Sequence, residues 1–129
     1  MKVMLSLATT FTEEERTGFG TCYHSPNGHI CVNVGGKYSP CKHSVTEFIV
    51  DEKVRGQGFG HELVKEVIRR FHSDIGGQVS SVASLAVFYK NGFRYAMDQK
   101  MSLADCLKEF KDSGGSLYMV FKPARSFED

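Results

Sequence analysis

The sequence has almost no excess of charge of either sign and no long apolar run. Sixteen lysine and arginine residues against fifteen aspartate and glutamate residues leave a formal net charge of +1, which argues against nucleic acid as a partner. No apolar stretch approaches membrane-spanning length, and Thr9 and Thr10 interrupt the first apolar residues before a signal-length run develops. We therefore expect no membrane partner and a cytoplasmic location.

The cysteines lack the spacing of a structural zinc site. Such sites usually bring in ligands through tight Cys-x2-4-Cys knuckles, whereas Cys22, Cys31, Cys41 and Cys106 are spread along the chain. We therefore predict no metal site. Without a secretory segment, the four thiols are predicted to be reduced.

The chain also lacks internal repeats and linkers. Its 129 residues suit one domain, and 41% hydrophobic with 24% charged residues is typical of a folded protein. The pattern predicts a single domain over residues 1–129. Strands are predicted at 3–8, 21–24, 29–34, 44–50, 78–83, 93–97 and 116–121, with helices at 12–18, 63–71, 84–90 and 102–111. Gly76 and Gly77 are expected to interrupt regular secondary structure between the predicted helix 63–71 and the predicted strand 78–83. This order predicts an α+β fold with a mixed sheet, parallel where the long helix crosses over.

A glycine-rich loop separates the predicted strand 44–50 from the amphipathic helix 63–71. The loop is Arg55-Gly56-Gln57-Gly58-Phe59-Gly60. Glycines let backbone N–H groups close on an anion, and the start of a helix adds further donors and a favourable dipole. The loop therefore predicts a ligand that carries phosphate, although a tight turn into a helix is the structural alternative.

Spacing excludes two common phosphate-binding motifs. In the Rossmann pattern, the register set by Gly56 and Gly58 meets His61 where the third glycine belongs. The P-loop pattern fails because the chain's Gly-Lys pair is followed by Tyr38 instead of Ser or Thr.

The pattern Arg/Gln-x-x-Gly-x-Gly/Ala is filled by Arg55, Gly58 and Gly60. Around it, the chain resembles the GNAT acetyltransferase superfamily. Residues 46–63 are similar to the family's fourth strand, pyrophosphate loop and third helix, and residues 88–93 (Phe-Tyr-Lys-Asn-Gly-Phe) are similar to its tyrosine and Gly-Phe element. The resemblance implies a mostly antiparallel mixed sheet with a splayed parallel strand pair and flanking helices.

The resemblance also implies acetyl-coenzyme A as cosubstrate. The cofactor would lie in a wedge between the strand that ends at Val50 and the predicted strand 78–83. Its expected binding residues are Phe48, Ile49, Val50, Arg55, Gly56, Gln57, Gly58, Phe59, Gly60, Ser81 and Phe88.

The implied reaction is direct transfer of acetyl from sulfur to a primary amine in a ternary complex, which needs a base to deprotonate the amine. Glu47 is the candidate base, because it interrupts the strand that leads into the loop. His43, Asp51 and Glu52 are lesser candidates, and solvent is a further alternative.

The family usually places its acid, a tyrosine, four residues before the glycine of Gly-Phe. Here that position holds Phe88, and Tyr89 lies three residues before Gly92. We favour Tyr89 as the acid, which requires the helix to end early or to tighten. The alternative is a half-buried Tyr89 and a thiolate that leaves unassisted.

Three departures from the family pattern concern the loop and the acceptor side. Lys53 replaces a frequent proline, Ser81 stands where asparagine is common, and the usual two-helix segment is shortened to 12–18. The acceptor side is therefore expected to be open, and the amine acceptor is undetermined. A non-catalytic acetyl-CoA-binding module and an interaction domain remain as rival function classes, and a homodimer is left open.

Overall fold

The computed structural model describes residues 10–35 and 40–123. In this part of the chain, four consecutive strands precede three α-helices, each of which is followed by one further strand, and one short 3₁₀ turn lies at Glu52–Val54. The strands are β1 (Thr12–Arg16), β2 (Gly20–Ser25), β3 (Gly28–Val34), β4 (His43–Val50), β5 (Ile75–Val79), β6 (Arg94–Tyr95) and β7 (Leu117–Phe121). The helices are α1 (Phe59–Arg70), α2 (Val82–Lys90) and α3 (Leu103–Asp112).

The strands form one mixed sheet in the order β1-β2-β3-β4-β5-β7-β6. The pair β4–β5 is parallel and the other pairs are antiparallel. A parallel pair needs a crossover, and α1 supplies it between β4 and β5. The predicted α+β class with a mostly antiparallel mixed sheet is confirmed.

The three helices lie close to predicted ones, although α1 begins at Phe59 instead of residue 63 and α2 begins at Val82 instead of residue 84. The side chain of Ser102 accepts a hydrogen bond from the Asp105 N–H and caps α3, and that of Ser81 accepts one from the Ser84 N–H and caps α2. The amphipathic helix α1 buries Leu63, Val64 and Val67 against the sheet, as its periodicity predicts.

One carboxylate is buried with that apolar face. Glu66 in α1 is hydrogen-bonded by Arg69 (2.6 Å) and by Arg70, whose guanidinium also reaches Glu13 of β1 (2.7 Å). Burial raises the pKa of Glu66, but the hydrogen bonds from the two arginines outweigh it and the pKa is lowered overall. This network joins α1 to the edge of the sheet.

Three secondary-structure predictions are wrong in detail. Residues 12–18 do not form a helix, because Thr12–Arg16 pairs with β2 along its whole length as strand β1. Gly76 and Gly77 do not break the chain but lie inside β5, where a Cβ at Gly77 would come within 3.1 Å of the Phe88 ring. The predicted strand 78–83 therefore starts earlier and ends at Val79. The predicted strand 3–8 lies outside the described residues.

The prediction of four reduced thiols is also wrong. Cys22 and Cys31 are directly opposite each other in β2 and β3 and form a disulfide. Cys106 is a buried free thiol, and Cys41 is buried outside the disulfide. Spacing along the chain cannot reveal such a pair, because the register of the hairpin brings the two residues together.

Within residues 10–35 and 40–123, no helix is long and apolar enough to cross a bilayer.

Candidate active site

The parallel strands β4 and β5 separate partway along their length. They pair from His43 opposite Ile75 to Val45 opposite Gly77, and beyond that point β4 continues to Val50 without pairing to β5. The gap holds a cleft of about 240 Å³. Its lining comes from β4, the end of β5 and α2: Val45, Thr46, Glu47, Phe48, Gln78, Val79, Ser80, Ser81, Ser84 and Phe88. The splayed pair expected from the resemblance is confirmed.

A β-bulge interrupts β4 at the mouth of this cleft. Cys31 is opposite Glu47 and Val32 is opposite Val45, so Thr46 is the extra residue. The Thr46 hydroxyl donates to the Phe19 carbonyl (2.6 Å) and fixes the bulge to the neighbouring loop. A bulge leaves backbone groups outside the ladder and re-aims the following side chains. Here it sets the direction of Glu47.

A second chamber of about 560 Å³ adjoins the cleft and lies against the glycine-rich loop. Phe48, Ser81 and Ser84 line both spaces, so the two are direct neighbours. Nine expected cofactor residues line the larger chamber: Phe48, Ile49, Val50, Arg55, Gly56, Gly58, Phe59, Gly60 and Ser81. Phe88 lines the smaller cleft, and Gln57 lines neither.

The loop adopts a conformation that only glycine takes readily. Gly56 and Gly58 have φ angles of 85° and 91°, and a Cβ at either position would meet no atom within 4 Å. The Gly58 carbonyl accepts the first helical bond of α1, from the Glu62 N–H (3.3 Å). The amides before Glu62 have no partner within the helix, and they adjoin the larger chamber. This geometry suits an anion.

Gly60 is required for close packing, whereas Gly56 and Gly58 are required for backbone conformation. A Cβ there would lie 3.3 Å from the Phe48 ring and 3.5 Å from a Val50 methyl group. The bare backbone lets α1 pack closely on β4. Arg55, in contrast, is exposed and donates from Nε to the Val50 carbonyl (3.2 Å), which ties the loop to the end of the strand.

Glu47 is the carboxylate that lines the cleft. Nη1 of Arg16 lies 2.8 Å from its Oε1, and Nε2 of His29 lies 2.9 Å from the same oxygen. The hydrogen bonds from His29 and Arg16 lower the pKa of Glu47. The sequence did not indicate either partner, because Arg16 lies where a helix was expected and His29 reaches Glu47 only through the pairing of β3 with β4.

The other base candidates lie elsewhere. Nδ1 of His43 is 2.6 Å from the Ser73 hydroxyl, and burial lowers the pKa of this histidine. Asp51 caps the 3₁₀ turn by accepting from the Lys53 N–H, and Glu52 lies within that turn. None of the three lines the cleft or the larger chamber.

The Glu47 contacts belong to a row of polar side chains on the sheet face away from α1 and α2. The row runs across four strands and consists of Glu14, His24, His29, Glu47 and Arg16. Nε2 of His24 lies 2.8 Å from Glu14 Oε1, and the rings of His24 and His29 are 5.1 Å apart. Tyr23, Ile30 and Phe48 alternate with the row and join the apolar core on the helix side.

Two residues of this row, together with Cys31, offer potential cation ligands without forming a suitable site. His29, Cys31 and Glu47 have donor atoms within 4.8 Å of one another. However, the Cys31 sulfur is in the disulfide, and the Arg16 guanidinium contacts the same Glu47 oxygen as His29. A second positive charge would be repelled there, so we assign no metal to these residues.

The structure does not bring Tyr89 to the cleft. Its hydroxyl donates to the Met101 carbonyl (2.9 Å) near the start of α3, and the Arg94 guanidinium stacks 3.8 Å above its ring. Phe88 instead faces the cleft and packs on Phe48. A step of one residue turns a helical side chain by about 100°, which explains why only one of the two neighbours can face this space.

Comparison with known proteins agrees with this geometry. The profile of the Acetyltransferase (GNAT) family matches residues 5–93, well over half of the chain. The chain belongs to the GNAT acetyltransferase family.

Solved structures share the fold of this GNAT chain at low sequence identity. An IAA acetyltransferase from Bacillus cereus matches with a TM-score of 0.60 and 12% identity, over 89% of this chain and 99% of that one. A putative streptothricin acetyltransferase from Bacillus anthracis, in complex with acetyl coenzyme A, matches with a TM-score of 0.53 and 14% identity, over 81% and 62% of the two chains.

A third match is N-acetylglutamate synthase from Neisseria gonorrhoeae, complexed with coenzyme A and N-acetyl-glutamate, with a TM-score of 0.52 and 15% identity. The match covers 81% of this GNAT chain but only 26% of the synthase chain. No curated protein matches the sequence.

Proposed function

We propose that this protein is an acetyl-CoA-dependent N-acetyltransferase that transfers acetyl directly to a primary amine in a ternary complex. The observation that carries the proposal is the adjacency of the β4–β5 cleft and the chamber against the glycine loop, which share Phe48, Ser81 and Ser84 as lining. One ligand that carries phosphate at one end and a reactive thioester at the other would fill both. Two of the similar structures hold coenzyme A or acetyl coenzyme A, which supports this choice.

The loop would bind the pyrophosphate of acetyl-CoA. Backbone amides at the start of α1 would donate to it, and the positive end of the helix dipole would add attraction. The pantetheine arm would follow the edge of β4 from Val50 toward the bulge, where β4 has no strand partner on the β5 side. This path would place the thioester near Thr46 and Glu47.

The acceptor amine would attack the thioester carbonyl. The new N–C bond forms, the C–S bond breaks through a tetrahedral oxyanion, and the sulfur departs with the bonding electron pair. Glu47 would take the proton from the amine, because it is the carboxylate that lines the cleft. Since the Tyr89 hydroxyl is bonded to Met101, we infer that the thiolate leaves without a protein acid, which its low basicity allows.

Calorimetry and mass spectrometry together test this function. We expect acetyl-CoA to bind the full chain, and an acetyl group to appear on at least one member of a panel of peptides, polyamines and amino sugars. Glu47→Gln should reduce turnover about 10²- to 10⁴-fold near neutral pH with unchanged cofactor affinity. Binding without any turnover would favour a non-catalytic acetyl-CoA module, and no binding at millimolar ligand would contradict both.

A further inference from the structure

The Glu47 carboxylate is held through one of its two oxygens. Both Arg16 of β1 and His29 of β3 contact Oε1, at 2.8 and 2.9 Å. Among the residues that the structure describes, nothing hydrogen-bonds Oε2. One oxygen is therefore anchored to the sheet, and the other is available on a side chain that lines the cleft.

These contacts are more than a flexible surface ion pair. The side chains of Arg16, His29 and Glu47 are 31%, 22% and 27% exposed, and the Arg16 guanidinium also lies 4.3 Å above the Phe19 ring. Partial burial and the ring contact reduce the freedom of the arginine. All three residues lie in paired strands, so the strand register fixes the spacing between their side chains.

We propose that Arg16 and His29 are positioning residues, which fix the Glu47 carboxylate through Oε1 and leave Oε2 to receive the proton of the acceptor amine. This inference rests on the proposed function. The proton moves from nitrogen to Oε2 as the N–C bond forms and the C–S bond breaks. Arg16 and His29 neither lose nor gain an atom in this step.

The electrostatic surroundings of Glu47 favour its ionised form, which is the form that can accept a proton. The titratable and charged groups of the row come from three neighbouring strands: Arg16 and Glu14 of β1, His24 of β2, and His29 of β3. Across the cleft, β5 contributes the uncharged Gln78. The hydrogen bonds from His29 and Arg16 lower the pKa of Glu47, so loss of either donor should raise it. A raised pKa would leave less of the carboxylate ionised in mildly acidic solution.

Two pH titrations on the full chain test the proposal. One follows the Glu47 side-chain carbon by NMR, and the other follows kcat/KM for acetyl transfer. In His29→Leu and Arg16→Met, we expect the Glu47 titration and the acid limb of kcat/KM to move together to higher pH. We also expect kcat at the plateau to fall by up to about 10²-fold from misplacement of the carboxylate, with unchanged affinity for acetyl-CoA.

Two further variants serve as rescue and control. His29→Gln retains an N–H donor and should reverse most of the shift seen in His29→Leu, returning the Glu47 titration toward that of the parent. Thr21→Val removes a hydrogen bond to Glu15 between strands β1 and β2, and should leave both the Glu47 titration and the acid limb of kcat/KM unchanged.

Each remaining outcome counts against a defined part of the proposal. An unmoved Glu47 titration in His29→Leu and Arg16→Met would overturn the anchoring. A moved Glu47 titration with an unmoved acid limb would overturn its use in the reaction. An inactive parent protein would overturn the proposed function together with this catalytic role, whereas an active parent with unmoved profiles would overturn this inference alone.

Discussion

The conformation of the glycine loop makes a quantitative prediction at Gly58. This residue has a φ angle of 91°, and a Cβ built on it would meet no atom within 4 Å. Gly58→Ala therefore introduces backbone strain without a steric clash. Alanine in the left-handed region costs about 1–2 kcal/mol, partly offset by the lower entropy of the unfolded chain. We expect the free energy of unfolding to fall by about 1 kcal/mol, a shift in melting temperature of about 3–5 °C.

The effect on ligand binding should be much larger than this strain. Relief of the strain would rotate the amides at the start of α1 away from the chamber. Each amide-to-phosphate hydrogen bond contributes about 1.5–3 kcal/mol, so loss of one would weaken acetyl-CoA binding by about 10- to 100-fold. Isothermal titration calorimetry measures this affinity, and urea unfolding measures the stability of the same samples.

Gly114 provides a matched control. It has a φ angle of 81°, has no atom within 4 Å of an added Cβ, and follows α3 away from both cavities. Gly114→Ala should lose a similar free energy of unfolding and keep full affinity. Affinity within twofold of the parent in Gly58→Ala would refute the loop as the phosphate site, as would an equal loss of affinity in Gly114→Ala.

Three further predictions concern stability and the disulfide. The folded pKa of Glu66 is lowered, so the stabilising contribution of this carboxylate is present above its unfolded pKa of about 4.3. That contribution is lost as pH falls through the folded pKa. Glu66→Gln should therefore flatten the decline of the unfolding free energy in that acidic range. Tyr89→Phe should lower the unfolding free energy by about 1 kcal/mol, because it removes the hydrogen bond to Met101, and should leave turnover unchanged; reduced turnover at full stability would restore Tyr89 as the acid. Thiol titration of the denatured chain should detect two thiols before reduction and four after it, and four at the outset would contradict the bond between Cys22 and Cys31.

The signals that predicted the order of strand, loop and helix at the candidate site are local along the chain. A strand, three alternating glycines and an amphipathic helix follow one another within residues 43–70, and each depends on its own backbone preferences. The capped starts of α2 and α3 are local in the same way, because Ser81 and Ser102 accept hydrogen bonds from residues three positions ahead. Local patterning was therefore enough to locate the glycine-rich loop, and the family resemblance supplied the residues that line the chamber beside it.

The same reliance on local signals failed at β1. Residues 12–15 have the spacing of a helix cap, but the segment forms a strand because the edge of β2 offers it a full set of backbone partners. Gly76 and Gly77 likewise suggest a break when considered alone. In the fold, the Phe88 ring occupies the space that a side chain at Gly77 would need, so this glycine allows β5 and α2 to approach.

The sequence by itself determined the α+β class, the family resemblance and the position of the glycine-rich loop. Only the tertiary structure decided which groups accompany Glu47, because Arg16 and His29 come from different strands and meet at one oxygen through the register of β1 to β4. It also decided that Phe88 faces the cleft while Tyr89 bonds to Met101, because the register of α2 against β4 and α3 selects the side chain that points inward. Contacts between distant segments depend on strand register and helix packing, and neither is encoded by residue spacing within a single segment.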